Sequence, residues 1–134
     1  MHGSESPKLV EKITGEGIFV IKALFAAKAP LLNQYEAYEH ASCILVEYGK
    51  GILPGGNAET WDYEQSSSLN QKVKLILAGG LHPGNVHDAV TRVNPFGVDV
   101  SSGVEKIPGV KDMHKVTAFI DRLRKNKISG ANVQ

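Results

Sequence analysis

Three short segments, FVIKALF (19–25), CILVEY (43–48) and KVKLILAGG (72–80), are apolar at nearly every position rather than at alternate ones. Continuous apolar runs of this length predict strands buried on both faces. A fourth, FGVDVSS (96–102), is shorter and ends in polar residues. Between the strands, apolar positions recur at helical spacing in SPKLVEKI from Ser6, with Pro7 in the first turn, and in APLLNQYEAYEH (29–40), GNVHDAVTRV (84–93) and DMHKVTAFIDRLRKN (112–126). The segment DYEQSSSLN (62–70) makes a poor helix. Alternation of strand and helix predicts right-handed βαβ crossovers and a parallel sheet, either doubly wound or part of a (β/α)8 barrel.

Composition bounds the size and the partners. The chain has 134 residues, 42% of them hydrophobic, which suits one domain with one core. That domain is expected over 1–128, with a frayed tail over 129–134. Fifteen Lys and Arg against fourteen Asp and Glu give too weak a field for nucleic acid or a membrane to be the main partner. Small molecules or proteins fit better. Cys43 is the single cysteine, so no intramolecular disulfide forms, in keeping with a reducing cytosol. The start, MHGSESPKL, lacks the basic and apolar regions of a signal peptide, and the longest apolar region (18–32) is interrupted by Lys22 and Lys28. A cytoplasmic location follows. The five histidines show no metal-ligand spacing, and neither a metal nor a cofactor is expected.

The chemistry gathers in the strand-to-helix turns EYGKGILPGGNAET (47–60), AGGLHPGN (78–85) and SSGVEKIPGVKD (101–112), whereas the helix-to-strand turns are plain. Both architectures place sites at the C-terminal ends of parallel strands. Gly79 and Gly80 end one strand, and Ser101, Ser102 and Gly103 end the next. Glycine permits close backbone approach and exposed N–H groups bind anions, so the two turns together predict a phosphate cup. Ser101 and Ser102 lack a Gly-x-Ser-x-Gly elbow and are expected to donate hydrogen bonds rather than attack. Cys43, Leu45 and Glu47 alternate onto one face, with Cys43 four residues below the strand end, a core position.

LAGGLHPGNVHDAV (77–90) followed by FGVDVSSGVEKIPGVKD (96–112) resembles the seventh and eighth βα units of the phosphoribosylanthranilate isomerases, (β/α)8-barrel enzymes of tryptophan biosynthesis. VIKA (20–23) resembles that family's fifth strand, ILVE (44–47) its sixth, TWDY (60–63) the start of the helix after strand six, and HGSESP (2–7) the HGxESP that follows strand four. The resemblance covers nearly the whole chain, but only the C-terminal half of the family's sequence. It implies an α/β fold in which this chain supplies strands five to eight of a TIM barrel.

The family reaction is an Amadori rearrangement, in which an acid opens the ribose ring and a base removes the C2 proton. Glu47 stands where the family has its acidic Asp. Its extra methylene moves the carboxyl by roughly 1.5 Å, on the scale at which misplacement costs about a hundredfold in rate. The alternative is a rim carboxylate accompanied by solvent or Lys50. The family's basic Cys and its Arg for the anthranilate carboxylate belong to the other half. The resemblance gives Gly79, Gly80, Ser101, Ser102 and Gly103 to the phosphate. It sets Lys22 and Asp99 on inward faces, to meet substrate or to pair across the barrel, with Asp99 a second catalytic candidate. The family loop GGxGK reads GGNAE here, with Gly55 and Gly56 facing substrate and Glu59 in place of a cation.

Four strands cannot close a barrel. Val20, Leu45, Leu75 and Leu77 are then expected to face inward, uncovered, between open edges. This implies a truncated product, one piece of a split enzyme, or a fragment. Two readings follow. One is an isomerase half that needs an N-terminal half-barrel chain. The other is a non-catalytic half-barrel that joins into a homo-oligomer through its open edges and only binds phosphate.

Overall fold

The computed structural model describes residues 1–49 and 61–129. Four parallel strands, β1 (Ile21–Phe25), β2 (Cys43–Glu47), β3 (Leu75–Leu77) and β4 (Gly97–Val98), form one sheet in the order β1-β2-β3-β4. Each strand is added to the same edge. A doubly wound sheet reverses its strand order at a switch point, so the winding seen here is of the barrel type. Helices α1 (Pro7–Gly15), α2 (Val86–Val93) and α3 (Met113–Ser129), with 3₁₀ segments Leu32–Tyr38 and Tyr63–Leu69, complete the layer on one face.

Register decides which side chains meet those helices. Lys22 is paired with Ile44, and Ile44 with Leu75, so these residues and their i±2 neighbours share a face. Val20, Leu24, Ile44, Val46, Leu75 and Leu77 form a single core with Val10 of α1, Tyr38, Val86 and Val93 of α2, and Phe119 of α3. This corrects the inward placement expected for Val20, Leu75 and Leu77, which are 0–4% exposed beneath the helices. Strands buried on both sides carry no polar alternation from which to read the face. Of the four, only Leu45 lies on the opposite face, with Ile21, Ile76 and Gly97. That face is uncovered towards the start of β1, where Phe19 is 66% exposed and Ile21 38%, while Ala23, Phe25 and Cys43 on it are buried.

The β1 edge is less bare than expected. The Met1 ammonium donates to Ile21 O at 2.8 Å, and Ala23 N donates to Met1 O at 2.9 Å, the bond pattern of a parallel neighbour.

Local chemistry sets the helix ends. Ser6 Oγ accepts from Leu9 N ahead of Pro7, and Asp112 Oδ1 accepts from His114 N at the start of α3. Val116, Phe119 and Leu123 of α3 are the positions that join the core. The helix expected over 29–40 is only a 3₁₀ stretch, and the poor helix at 62–70 is another. In the latter, Ser66 and Ser67 hydroxyls donate to the carbonyls three residues back. After β4 a hairpin absent from the sequence reading, β5 (Glu105–Ile107) and β6 (Val110–Lys111), turns at Pro108 and Gly109, where φ is +80°. Among the described residues no helix is long and apolar enough to cross a membrane.

Candidate functional site

The cup begins where β3 runs out. Gly79 and Gly80 take φ values of 88° and 70°, a left-handed pair that glycine adopts without strain. Side chains take the loop's carbonyls: Trp61 Nε1–H donates to Ala78 O (2.9 Å), the Tyr63 hydroxyl to Gly79 O (2.7 Å) and, from the loop's own end, Asn85 Nδ2 to Gly80 O (2.9 Å). Burial pushes the Tyr63 phenol up to about 12, so it remains a donor at any physiological pH. With the carbonyls so engaged, the N–H groups of Gly79 and Gly80 meet no acceptor among the described residues.

The second wall is the turn after β4. A Cβ on Gly103 would lie 1.8 Å from Leu81 O, so the two loops touch backbone to backbone and only glycine fits. The Ser102 and Gly103 N–H groups likewise meet no acceptor among the described residues. The two loops enclose a cavity of about 160 Å³ bordered by Glu47, Gly79, Gly80, Leu81, Asp99, Val100, Ser101, Ser102 and Gly103. Four N–H donors and two hydroxyls beside two carboxylates suit an anionic ligand that also presents a protonatable group.

Glu47 ends β2 on the cavity side. Its Oε1 lies 3.1 Å from His2 Nε2, and the His2 ring stands edge-on to Phe25 at 5.3 Å. His2 is exposed, and as company for Glu47 it replaces the solvent or Lys50 expected from the sequence. Lys50 lies outside the described residues, as do Gly55, Gly56 and Glu59 and tail residues 130–134. Asp99 is exposed on the cavity rim.

Lys22 is not part of this cavity. It is 0% exposed on the helix face, and its ammonium donates to Gly3 O (2.8 Å), Glu5 Oε2 (3.1 Å) and Ala23 O (3.1 Å), with the Tyr38 ring 5.2 Å away. The expected pair with Asp99, or contact with substrate, therefore does not form: the register puts the two residues on opposite faces. Desolvation opposes ionisation of Glu5, yet its own and Gly3's backbone N–H and the Lys22 ammonium bring its carboxyl down to about 2. This pair ties the N-terminal segment to β1.

Cys43 is buried at 1% exposure, below the site. A larger cavity of about 390 Å³, between Phe25, Leu31, Leu32, Tyr35 and Leu69, shares no residue with the cup. Among the described residues no group of three or more His, Cys, Asp or Glu is arranged to hold a metal. Sequence reasoning missed the roles of Trp61 and Tyr63, which arise from contacts across the fold, of Asn85, which closes its own loop on Gly80, and of Lys111, which Pro108–Gly109 between Ile107 and Val110 could have signalled as a hairpin residue.

The family model for N-(5'phosphoribosyl)anthranilate (PRA) isomerase matches residues 1–122. The N-(5'-phosphoribosyl)anthranilate isomerase of Desulfatibacillum aliphaticivorans is 45% identical over 120 residues, which are 90% of this chain and 55% of that protein. The crystal structure of phosphoribosyl anthranilate isomerase from Thermotoga maritima superposes with a TM-score of 0.79 at 35% identity, covering 92% of this chain and 60% of that one. Another, at 34% identity and a TM-score of 0.75 over 92% of this chain and 57% of its own, was solved with reduced 1-(o-carboxyphenylamino)-1-deoxyribulose 5-phosphate. This chain thus spans little more than half the length of the relatives it matches. By that match, over most of its residues, the chain belongs to the phosphoribosylanthranilate isomerase family.

Proposed function

We propose that this chain is the part of a cytoplasmic phosphoribosylanthranilate isomerase that holds the substrate's phosphate and carries the general acid. Its strands β1 to β4 correspond to strands five to eight of a (β/α)8 barrel, and residues 1–128 form one partial-barrel domain. The observation that carries the reading is the convergence of Glu47, Asp99, the Gly79–Gly80 pair and Ser101–Gly103 on one cavity. The phosphate of N-(5'-phosphoribosyl)anthranilate accepts from the N–H groups of Gly79, Gly80, Ser102 and Gly103. The ribose then reaches towards Glu47. Protonated Glu47 gives its proton to the ring oxygen as the C1–O bond breaks and the anthranilate nitrogen lone pair forms a C=N bond. Loss of the C2 proton gives an enolamine, which tautomerises to the aminoketose.

Removal of that proton needs a base. Buried Cys43 has no access to the cavity, so the base comes from the N-terminal half-barrel, together with the cation for the anthranilate carboxylate. Asp99, on the cavity rim, is the second carboxylate within reach of substrate, and the family resemblance assigns Gly55 and Gly56, outside the described residues, to the substrate as well.

Glu47 in place of Asp favours a second reading, in which the half-barrel binds phosphate without catalysis. The two readings separate in an isomerisation assay that follows loss of anthranilate fluorescence, with the chain alone and mixed with a separately made N-terminal half. Turnover only in the mixture supports the split enzyme, and Glu47→Gln is then expected to cost about 10²–10⁴-fold in kcat. Absence of turnover in both, with inorganic phosphate still bound, supports the second reading.

A further inference from the structure

The β5–β6 hairpin exists for no reason the reaction supplies, yet it returns the chain onto the cup. Gly109 at the turn donates its N–H to Glu105 Oε2 at 3.2 Å, and β6 then brings Lys111 back to the start of the Ser101–Gly103 wall. The Lys111 ammonium donates to Ser101 O at 3.0 Å, to Ser101 Oγ at 3.4 Å and to Glu105 Oε1 at 2.8 Å. Its three protons are thus all directed. The hydrogen bond from Lys111 holds the Glu105 carboxyl below its ordinary value, and Lys115 Nζ fixes the Glu105 carbonyl at 2.7 Å.

The consequence lies in the Ser101 hydroxyl. A serine hydroxyl has one proton to give and lone pairs that accept, and with Glu47 and Asp99 also bordering the cavity an anion is admitted only where the remaining polar groups aim their protons at it. An ammonium can only donate. Ser101 Oγ therefore accepts from Lys111, and its own proton is free to point at a ligand, with its acidity raised by the charged donor.

We propose that Lys111 is a positioning residue of the anion cup, acting through Ser101 by holding that hydroxyl as a donor to phosphate. The proposal rests on the phosphate-binding reading above and adds a residue to it.

Titration of the 134-residue chain with inorganic phosphate, followed by the amide shifts of Gly79, Gly80, Ser102 and Gly103, tests it. Lys111→Met is expected to weaken phosphate binding about tenfold, the scale of one charge-assisted hydrogen bond, and Lys111→Arg to recover most of the loss. In a Ser101→Ala background, Lys111→Met is expected to cost less than about threefold, because a residue acting through Ser101 has nothing left to position. Wild-type affinity in Lys111→Met, or an equal loss in both backgrounds, overturns the proposal while leaving the phosphate reading intact. Failure of the unmodified chain to bind phosphate overturns both. Should Lys111→Met lose its dispersed spectrum, Ser101→Ala decides: a loss of about tenfold or more supports the donor role on which the proposal depends, and unchanged affinity refutes it.

Discussion

Gly103 is the residue on which the two walls of the cup depend. A methyl group there would overlap Leu81 O at 1.8 Å, and both partners are backbone, so no rotamer change relieves the clash. Gly103→Ala is expected to destabilise the fold by at least about 1–3 kcal/mol and to open the cup, read as a lower denaturation midpoint together with lost phosphate binding. An unchanged midpoint would show that the loops do not touch. Glu5 makes a different prediction, one of pH. Its carboxyl titrates near 2 in the folded chain and near 4.5 when unperturbed, so its contribution is complete above 4.5 and is lost as pH falls towards 2. Glu5→Gln is therefore expected to lower stability at neutral pH, and the gap between the two proteins to close between pH 4.5 and 2 in urea titrations. A gap independent of pH would remove the ion pair with Lys22 from the account. The residues that border the cup were legible because two successive strand ends both carried small residues, where a single Gly pair reads as a tight turn. Lys22 was not, because Glu5 lies 17 positions away and only the tertiary fold brings it to the ammonium.

At the level of elements, the 3₁₀ segment Tyr63–Leu69 does more than connect strands. Trp61 just before it and Tyr63 at its start reach to the carbonyls of Ala78 and Gly79 and so turn the cup's N–H groups towards the cavity. Tyr63→Phe leaves Gly79 O without its donor in a half-buried setting, and an expected cost of about 1–3 kcal/mol follows. It is checked by thermal melting alongside phosphate affinity, and loss of neither would make the contact incidental. The alternation of strands and helices could be read from apolar runs, and Ser6 and Pro7 marked the start of α1 from their chemistry alone. Strand faces could not. Leu75 and Leu77 read as well inward as outward until pairing with Ile44 and Val46 fixed them against the helices. The hairpin escaped because β5 and β6 span only Glu105–Ile107 and Val110–Lys111, too short to show a period.

For the whole molecule, strand order carries the argument. Four parallel strands added in one direction carry their helices on one face, and in a complete barrel the other face is filled by side chains from all the strands. Here that side presents Phe19 at 66% and Ile21 at 38% exposure, beside partly buried Leu45 and Ile76, while Ala23, Phe25 and Cys43 on it are buried. Counting strands foresaw exposed apolar residues on the inner side but not which: they are Phe19 and Ile21 at the start of β1, and that waited on register. A contiguous apolar patch beside an edge strand favours association, because burial of each large aliphatic or aromatic side chain is worth about 1.5–3 kcal/mol. The 134-residue chain is therefore expected to sediment above 14.5 kDa at micromolar concentration. Phe19→Ser with Ile21→Lys places a polar group and a charge on the face opposite the helices, and is expected to shift the chain towards monomer. Ile120→Lys, on the exposed side of α3 at 42% exposure, serves as the control and should leave association unchanged. A single 14.5 kDa species with a cooperative melt for the unmodified chain would refute the open-face argument, and dispersal by Ile120→Lys alone would move the contact to the helical side.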